Sequence, residues 1–235
     1  MARIECLAVD LDGTLTDEHG VIHHEVVEAL ERLKSKGVKV LIVTGASYPA
    51  AITLAYYLPV TRLAVAENGG VVGFRDNYRL LAPPEDKRFI LEVAGQKLRG
   101  VLASSWQNMF RFVDVAFHPA PGVSSADAVK RAAEVFEPLG FEVVDSGWAI
   151  HVHRKGVNKA RGLLAACEIL NLDPRCTAAI GDSEVDGPMF EVASVSVALG
   201  NAPRQLKAKA TYTVQGCCHV GFLEALKLLE EKELL

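Results

Sequence analysis

Cysteine is sparse in this 235-residue chain: Cys6, Cys167, Cys176, Cys217 and Cys218 are an odd number, and no two have CxxC spacing. A chain this long does not need staples, so a disulfide framework is excluded and reduced thiols in a cytoplasmic compartment are expected. No Cys or His cluster has structural-zinc spacing. Basic excess is also missing. Lys and Arg number 25 against 29 Asp and Glu, for a net charge of −4, and without a basic stripe nucleic acid is not an expected partner. Apolar runs fall well short of the roughly 20 residues that span a bilayer, so no membrane partner is expected. The opening MARIEC meets Asp10 and Asp12 without an apolar leader core or a small-residue cleavage site, so no secretory leader is expected. Internal repeats, low-complexity tracts and heptads are absent.

What is present is a core. Half of the residues are hydrophobic, which excludes a disordered chain, and the length suits between one and two domains. Ile4–Val9 reads as a buried parallel strand. After the loop DLDGTLTDEHG, Val26, Val27, Leu30 and Leu33 recur at helical spacing, with Gly37 as the stop. Val38–Val43 is a second strand ending at Thr44-Gly45. Ala50–Leu58 is a helix closed by Pro59, and Leu63–Ala66 a third strand entering the turn Glu67-Asn68-Gly69-Gly70. Such alternation predicts a parallel sheet with helices on both faces and ligands outside the carboxyl ends of its strands.

Pro83-Pro84 marks a change of character. Helices are expected near 85–100 and 124–138, and strands at Phe110–Phe117, Phe141–Val144 and Ala149–His153. The alternation in Phe110–Phe117 predicts a strand with one solvated face. As an edge strand it would pair with a second copy, giving a homodimer. From Gly156 the first pattern returns: a helix over about 158–170, strand Thr177–Ile180 closing on Gly181-Asp182, a helix near 186–193, strand Ser194–Leu199 and a last helix. The expected fold class is α/β, a Rossmann-like parallel sheet interrupted by a small α+β module.

Four segments carry chemistry. Asp10-Leu11-Asp12-Gly13-Thr14 follows the first strand, and its two carboxylates make a compact anionic site suited to Mg²⁺. One carboxylate can attack phosphorus while the other moves a proton. A solvated acidic turn is the plainer alternative. Thr44-Gly45 offers a hydroxyl and a backbone N–H to a phosphoryl oxygen, as ordinary strand-to-helix turns also do. Lys159 opens a helix, as a point charge for a phosphate or as a surface lysine. Asp182 and Asp186 lie four apart across a strand-to-helix turn, to complete an oxygen-rich metal site or to cap the helix. Their combination and order decide for chemistry, since three of the four segments end predicted strands.

In this order the segments resemble the motifs of the haloacid dehalogenase superfamily of phosphatases. Glu67-Asn68-Gly69-Gly70 and Gly200-Asn201-Ala202 are similar to its Cof-type subgroup, and the length and compact middle block to the archaeal-type phosphoglycolate phosphatases. The resemblance implies a HAD-like catalytic core of residues 1–81 and 156–235, with residues 82–155 as an inserted α/β cap that sets specificity. It implies Asp10 as the nucleophile, Asp12 as general acid and then base, and Thr44, Gly45 and Lys159 as holders of the phosphate. Asp10, Asp12 through its carbonyl, Asp182 and Asp186 would hold Mg²⁺. The usual Asn before the last acid is here Val185, which removes a supporting hydrogen bond. The implied reaction is hydrolysis of a small phosphorylated metabolite, foremost 2-phosphoglycolate, to glycolate and phosphate. Alternatives are a sugar-phosphate phosphatase, a phosphomutase and a non-catalytic phospho-ligand-binding module. In the middle block Arg111, His118, His151 and Arg154 are candidate substrate contacts, an arginine suiting a carboxylate. Trp106 and Trp148 read as packing anchors. His151 and His153 read as a packed or exposed pair on one strand face rather than as metal ligands.

Overall fold

A computed structural model describes residues 3–235. Met1 and Ala2, the first residues of the stretch read for a leader, lie outside the described residues. Strand β1 (Cys6–Val9) is buried along its whole length, as a strand must be when helices cover both faces of a parallel sheet. It leads through α1 (His24–Ser35), β2 (Lys39–Val43) and α2 (Tyr48–Tyr57) to β3 (Ala64–Ala66), and then to a hairpin, β4 (Val71–Gly73) and β5 (Tyr78–Leu80). Next come α3 (Glu85–Lys97), β6 (Leu102–Ser104), β7 (Val115–Pro119), α4 (Ser125–Phe136), β8 (Phe141–Asp145) and β9 (Ile150–Arg154). The chain ends with α5 (Lys159–Leu170), β10 (Thr177–Gly181), α6 (Gly187–Val192), β11 (Val195–Ala198), α7 (Arg204–Lys209), β12 (Tyr212–Thr213) and α8 (Cys218–Glu231).

Among the described residues the larger sheet has eight strands in the order β12-β11-β10-β1-β2-β3-β4-β5. The pairs β3–β4 and β4–β5 are antiparallel and the others parallel. The chain runs from β1 to one side through β2 and β3, then returns on the other side of β1 at β10. Beyond the carboxyl ends of β1 and β10 lies the crevice where such sheets place their ligands. Asp10 directly follows β1, and Asp182 directly follows β10. No helix among the described residues is long and apolar enough to cross a membrane.

The second sheet, β6-β7-β9-β8, is antiparallel throughout. Helices α3 and α4 cover one face, where Ile90, Ala132 and Phe136 pack with Val115, Phe117, Ile150 and Val152. Period two sends Ala116 and His151, which are paired in register, to the opposite face. That face lies over the carboxyl ends of the larger sheet and encloses a cavity with them.

Three expectations fail in this region. Strand β7 begins at Val115 rather than Phe110, because Trp106–Phe110 forms a 3₁₀ turn. The expected solvated face of this stretch is missing: its two polar residues, Arg111 and Asp114, are 4% and 0% exposed and form a buried ion pair. A polar residue with a buried partner imitates the pattern of a solvated face. Strand β7 also lies inside its sheet, between β6 and β9, so the expected pairing of Phe110–Phe117 with a second copy has no free edge to use.

Candidate active site

The loop after β1 turns back at Gly13, whose φ of +80° is left-handed and whose missing Cβ would stand 2.7 Å from Asp182 Oδ2. This close approach joins the two acidic segments. Thr14 Oγ1 donates to Asp182 Oδ1 at 2.6 Å, and Asn201 Nδ2 donates to Asp182 Oδ2 at 2.7 Å and to the Gly13 carbonyl at 3.0 Å. A second close approach positions the lysine. At Gly69, also left-handed, a Cβ would fall 1.9 Å from the Asn158 carbonyl, so the turn after β3 sits directly against the start of α5. Lys159 is 1% exposed, and its Nζ donates to Asp10 Oδ1 at 2.7 Å and to Asp186 Oδ1 at 2.6 Å. The reading of Lys159 as a surface residue is thereby excluded.

Carboxylate oxygens of Asp10, Asp182 and Asp186 lie within 4.8 Å of one another. Burial pushes Asp10 well above the usual carboxylate range, since the nearby Asp186 and Asp182 offset the pull of Lys159. Burial, reinforced by Asp186 against the Thr14 hydrogen bond, pushes Asp182 up to about 6. Burial also raises Asp12. For Lys159 burial works downward, but Asp10 and Asp186 overcome it and keep the ammonium charged. The cluster is thus short of positive charge. An all-oxygen donor set with a charge deficit fits a hard divalent cation. Val185 does not loosen Asp186, whose Oδ2 accepts from the Asp182 and Ser183 N–H groups at 3.0 and 2.9 Å.

A cavity of about 270 Å³ lies between the sheets, and its walls include Asp10, Asp12, Gly45, Lys159, Arg111 and His151. Thr44 stands fully buried behind Gly45, its Oγ1 accepting from the Ala46 N–H at 3.0 Å. His118 is exposed at the rim. Arg154 is not brought to the cavity; its Nε donates to Asp86 Oδ2 at 2.6 Å. His151 and His153 are both packed. His151 lines this cavity, and His153 an adjoining one. Trp106 and Trp148 are not packing anchors. They are 73% and 50% exposed and line the cavity from the 3₁₀ turn and the β8–β9 turn, where no helix covers them.

Sequence reasoning missed the residues that hold this site together. Asn68 lines the cavity, Glu67 and Asp114 are buried behind it, and Asn201 braces Asp182. Glu67, Asn68 and Asn201 were visible in segments similar to the Cof-type subgroup, but with no role attached to them.

The family model of haloacid dehalogenase-like hydrolases matches residues 7–114 and 123–226. The chain is 33% identical over 228 residues to a phosphoglycolate phosphatase of Metallosphaera sedula, with 96% of this chain and 99% of that one covered. It is 36% identical over 228 residues to a phosphoglycolate phosphatase of Pyrobaculum aerophilum, with 95% and 94% covered. The crystal structure of Thermoplasma acidophilum 0175 matches it with a TM-score of 0.86 over 99% of this chain and 100% of that one, and at 24% identity it shares the fold.

Proposed function

The chain belongs to the haloacid dehalogenase-like hydrolase family and is a phosphatase; from that premise we propose that it is a Mg²⁺-dependent phosphomonoesterase whose substrate is 2-phosphoglycolate. One observation carries the chemistry: three acidic side chains converge where β1 and β10 end, two of them, Asp10 and Asp186, paired with the buried Lys159, beneath a cavity roofed by the second sheet. Asp10 attacks phosphorus as the nucleophile, and the bond to the glycolate oxygen breaks, leaving an aspartyl-phosphate. Asp12, whose carboxyl burial raises above its ordinary value, gives its proton to that oxygen. It then takes a proton from the water that attacks phosphorus and frees phosphate and Asp10. Lys159 holds Asp10 in place and neutralises charge on the phosphoryl oxygens, which Gly45 meets at the cavity wall while Thr44 braces the turn behind it. Asp10, Asp182, Asp186 and the Asp12 carbonyl hold Mg²⁺, which when bound supplies the positive charge the cluster lacks. Residues 82–155 act as the cap that reads the leaving group and excludes water, hinged near 82 and 155, on a core of 1–81 and 156–235. The five free cysteines suit a reducing cytoplasm.

The names of the relatives support 2-phosphoglycolate. The exposed Trp106 and Trp148 at the cavity favour a second reading, a sugar phosphate. Phosphate release from phosphoglycolate, hexose phosphates, nucleotides and an aryl phosphate, each with Mg²⁺ and with EDTA, separates them. Mg²⁺-dependent release from phosphoglycolate and little from hexose phosphates is expected. Preference for a hexose phosphate overturns the substrate, and equal release with EDTA overturns the metal.

A further inference from the structure

Asp114 stands behind the cavity wall, fully buried, and touches both sides of the molecule. Its Oδ2 accepts three hydrogen bonds from side chains that line the cavity: Asn68 Nδ2 at 3.1 Å, Arg111 Nη1 at 3.0 Å and His151 Nδ1 at 2.8 Å. Asn68 belongs to the turn after β3, Arg111 precedes β7 and His151 sits on β9. Glu67 supports the hub from beneath, its Oε2 accepting from the backbone N–H groups of Phe112, Val113 and Asp114 at 3.0, 2.9 and 3.1 Å.

This hub holds Arg111 by its Nη1 end. The Nε–Nη2 edge, whose parallel N–H groups receive a carboxylate bidentately, is left open. Among the described residues Nε has no partner, and Nη2 has only a long contact to Gln107 Oε1 at 3.4 Å. Arg111 is 4% exposed, so the open edge is not satisfied by bulk water. Charge points the same way. Lys159 and Arg111 are the fixed cations lining the cavity, and Lys159 is committed to Asp10 and Asp186. A second anionic group on the substrate has Arg111 as its counter-charge and the acidic cluster as its repulsion.

We propose that the Nε–Nη2 edge of Arg111 receives a carboxylate carried by the leaving group, with Gln107 displaced from that edge, and that Asp114 is the positioning residue that aligns Arg111, His151 and Asn68. This inference rests on the phosphatase reading above and narrows the substrate to short phosphomonoesters whose alcohol bears a carboxylate.

The test compares kcat and KM for 2-phosphoglycolate and for 2-hydroxyethyl phosphate, a similar-sized ester with a neutral hydroxyl in place of the carboxylate. Wild type favours phosphoglycolate. Arg111→Gln raises KM for phosphoglycolate about 30-fold, the effect of one lost charge-assisted pair. It leaves kcat and the KM for hydroxyethyl phosphate within about threefold, inside the context scatter of such contacts. Arg111→Lys, which keeps the charge and loses the fork, shifts the same KM in the same direction by less, and so does Asp114→Asn. Equal loss of kcat/KM for both esters, or an unchanged KM for phosphoglycolate, overturns the proposal. Gln107→Ala leaves the buried pairs intact should an Arg111 variant not fold. It lowers KM for phosphoglycolate alone, and an unchanged value overturns the proposal. Turnover of phosphoglycolate that ignores Arg111 overturns the subsite alone, whereas phosphate release from no ester overturns the phosphatase reading with it.

Discussion

Two buried ionic clusters face each other across one cavity, and they are built in opposite proportion. On the larger sheet, Asp10, Asp182 and Asp186 cluster around one lysine, which pairs with Asp10 and Asp186. On the second sheet's side, Asp114 alone receives Arg111, His151 and Asn68. Burial works on both in the same direction, yet the outcomes diverge. Asp182 is pushed up to about 6, while Asp114 is held down at about 2 because His151 and Arg111 overcome the cost of burial. Burial alone therefore does not decide which way an interior carboxylate shifts; the balance of cationic and anionic neighbours does. The first cluster is short of positive charge and suits a cation and a phosphoryl group. The second keeps a guanidinium edge in reserve and suits an anion.

Substitutions can break this contrast. The largest effect is expected at Asp10→Asn, which removes the nucleophile and lowers turnover by about 10⁴ or more. Metal-free stability should not fall with it, because one carboxylate leaves an over-supplied cluster; turnover near the wild-type rate removes Asp10 from its role. Next is Lys159→Met, which takes the one cation from three carboxylates. Urea unfolding of the metal-free protein should show a loss of about 3–5 kcal/mol, the cost of stranding buried charge. A loss below about 1 kcal/mol would show that the carboxylates are already neutral. The smallest effect, and the sharpest comparison, is in pH. The folded value of Asp182, about 6, lies above its ordinary 3.8, so the folded protein holds a proton the unfolded chain has released. Metal-free stability should therefore fall as pH rises from about 4 to about 6, and Asp182→Asn should make that slope shallower, with the raised Asp10 and Asp12 leaving part of it. Asp114 has the reverse sign. Its contribution is complete above about 4 and is lost as pH falls towards 2, the window that Asp114→Asn should flatten. Urea midpoints against pH check both, and slopes of the same sign in the two windows would dissolve the contrast.

The sequence showed the two halves of the molecule unequally. The parallel strands and the acids at their ends were legible because each strand is a short apolar run that stops at a polar residue, as at Val9-Asp10 and Gly181-Asp182. Strands β4, β5 and β6 have three residues each and β12 has two, too few for any period to register. The second cluster was hidden for another reason. Arg111 and His151 were legible only as candidate substrate contacts and Asp114 not at all, because their burial depends on partners 3 and 37 residues away that only the fold brings together. The exposed Trp106 and Trp148 failed in the same sense, since composition tells how large a side chain is but not whether anything covers it.

Glu67 and Asn68 are neighbours in the chain, both in the left-handed region, and they grip the same short segment, one by its backbone and one through the Asp114 side chain. That arrangement bears on recombination. A chimera that exchanges residues 82–155 between two relatives would import Arg111, Asp114 and His151 but leave Glu67 and Asn68 behind in the host. On the division proposed above, the transplantable unit is discontinuous: a graft of residues 82–155 that keeps the Asp114 hub has to carry the turn after β3 along with it.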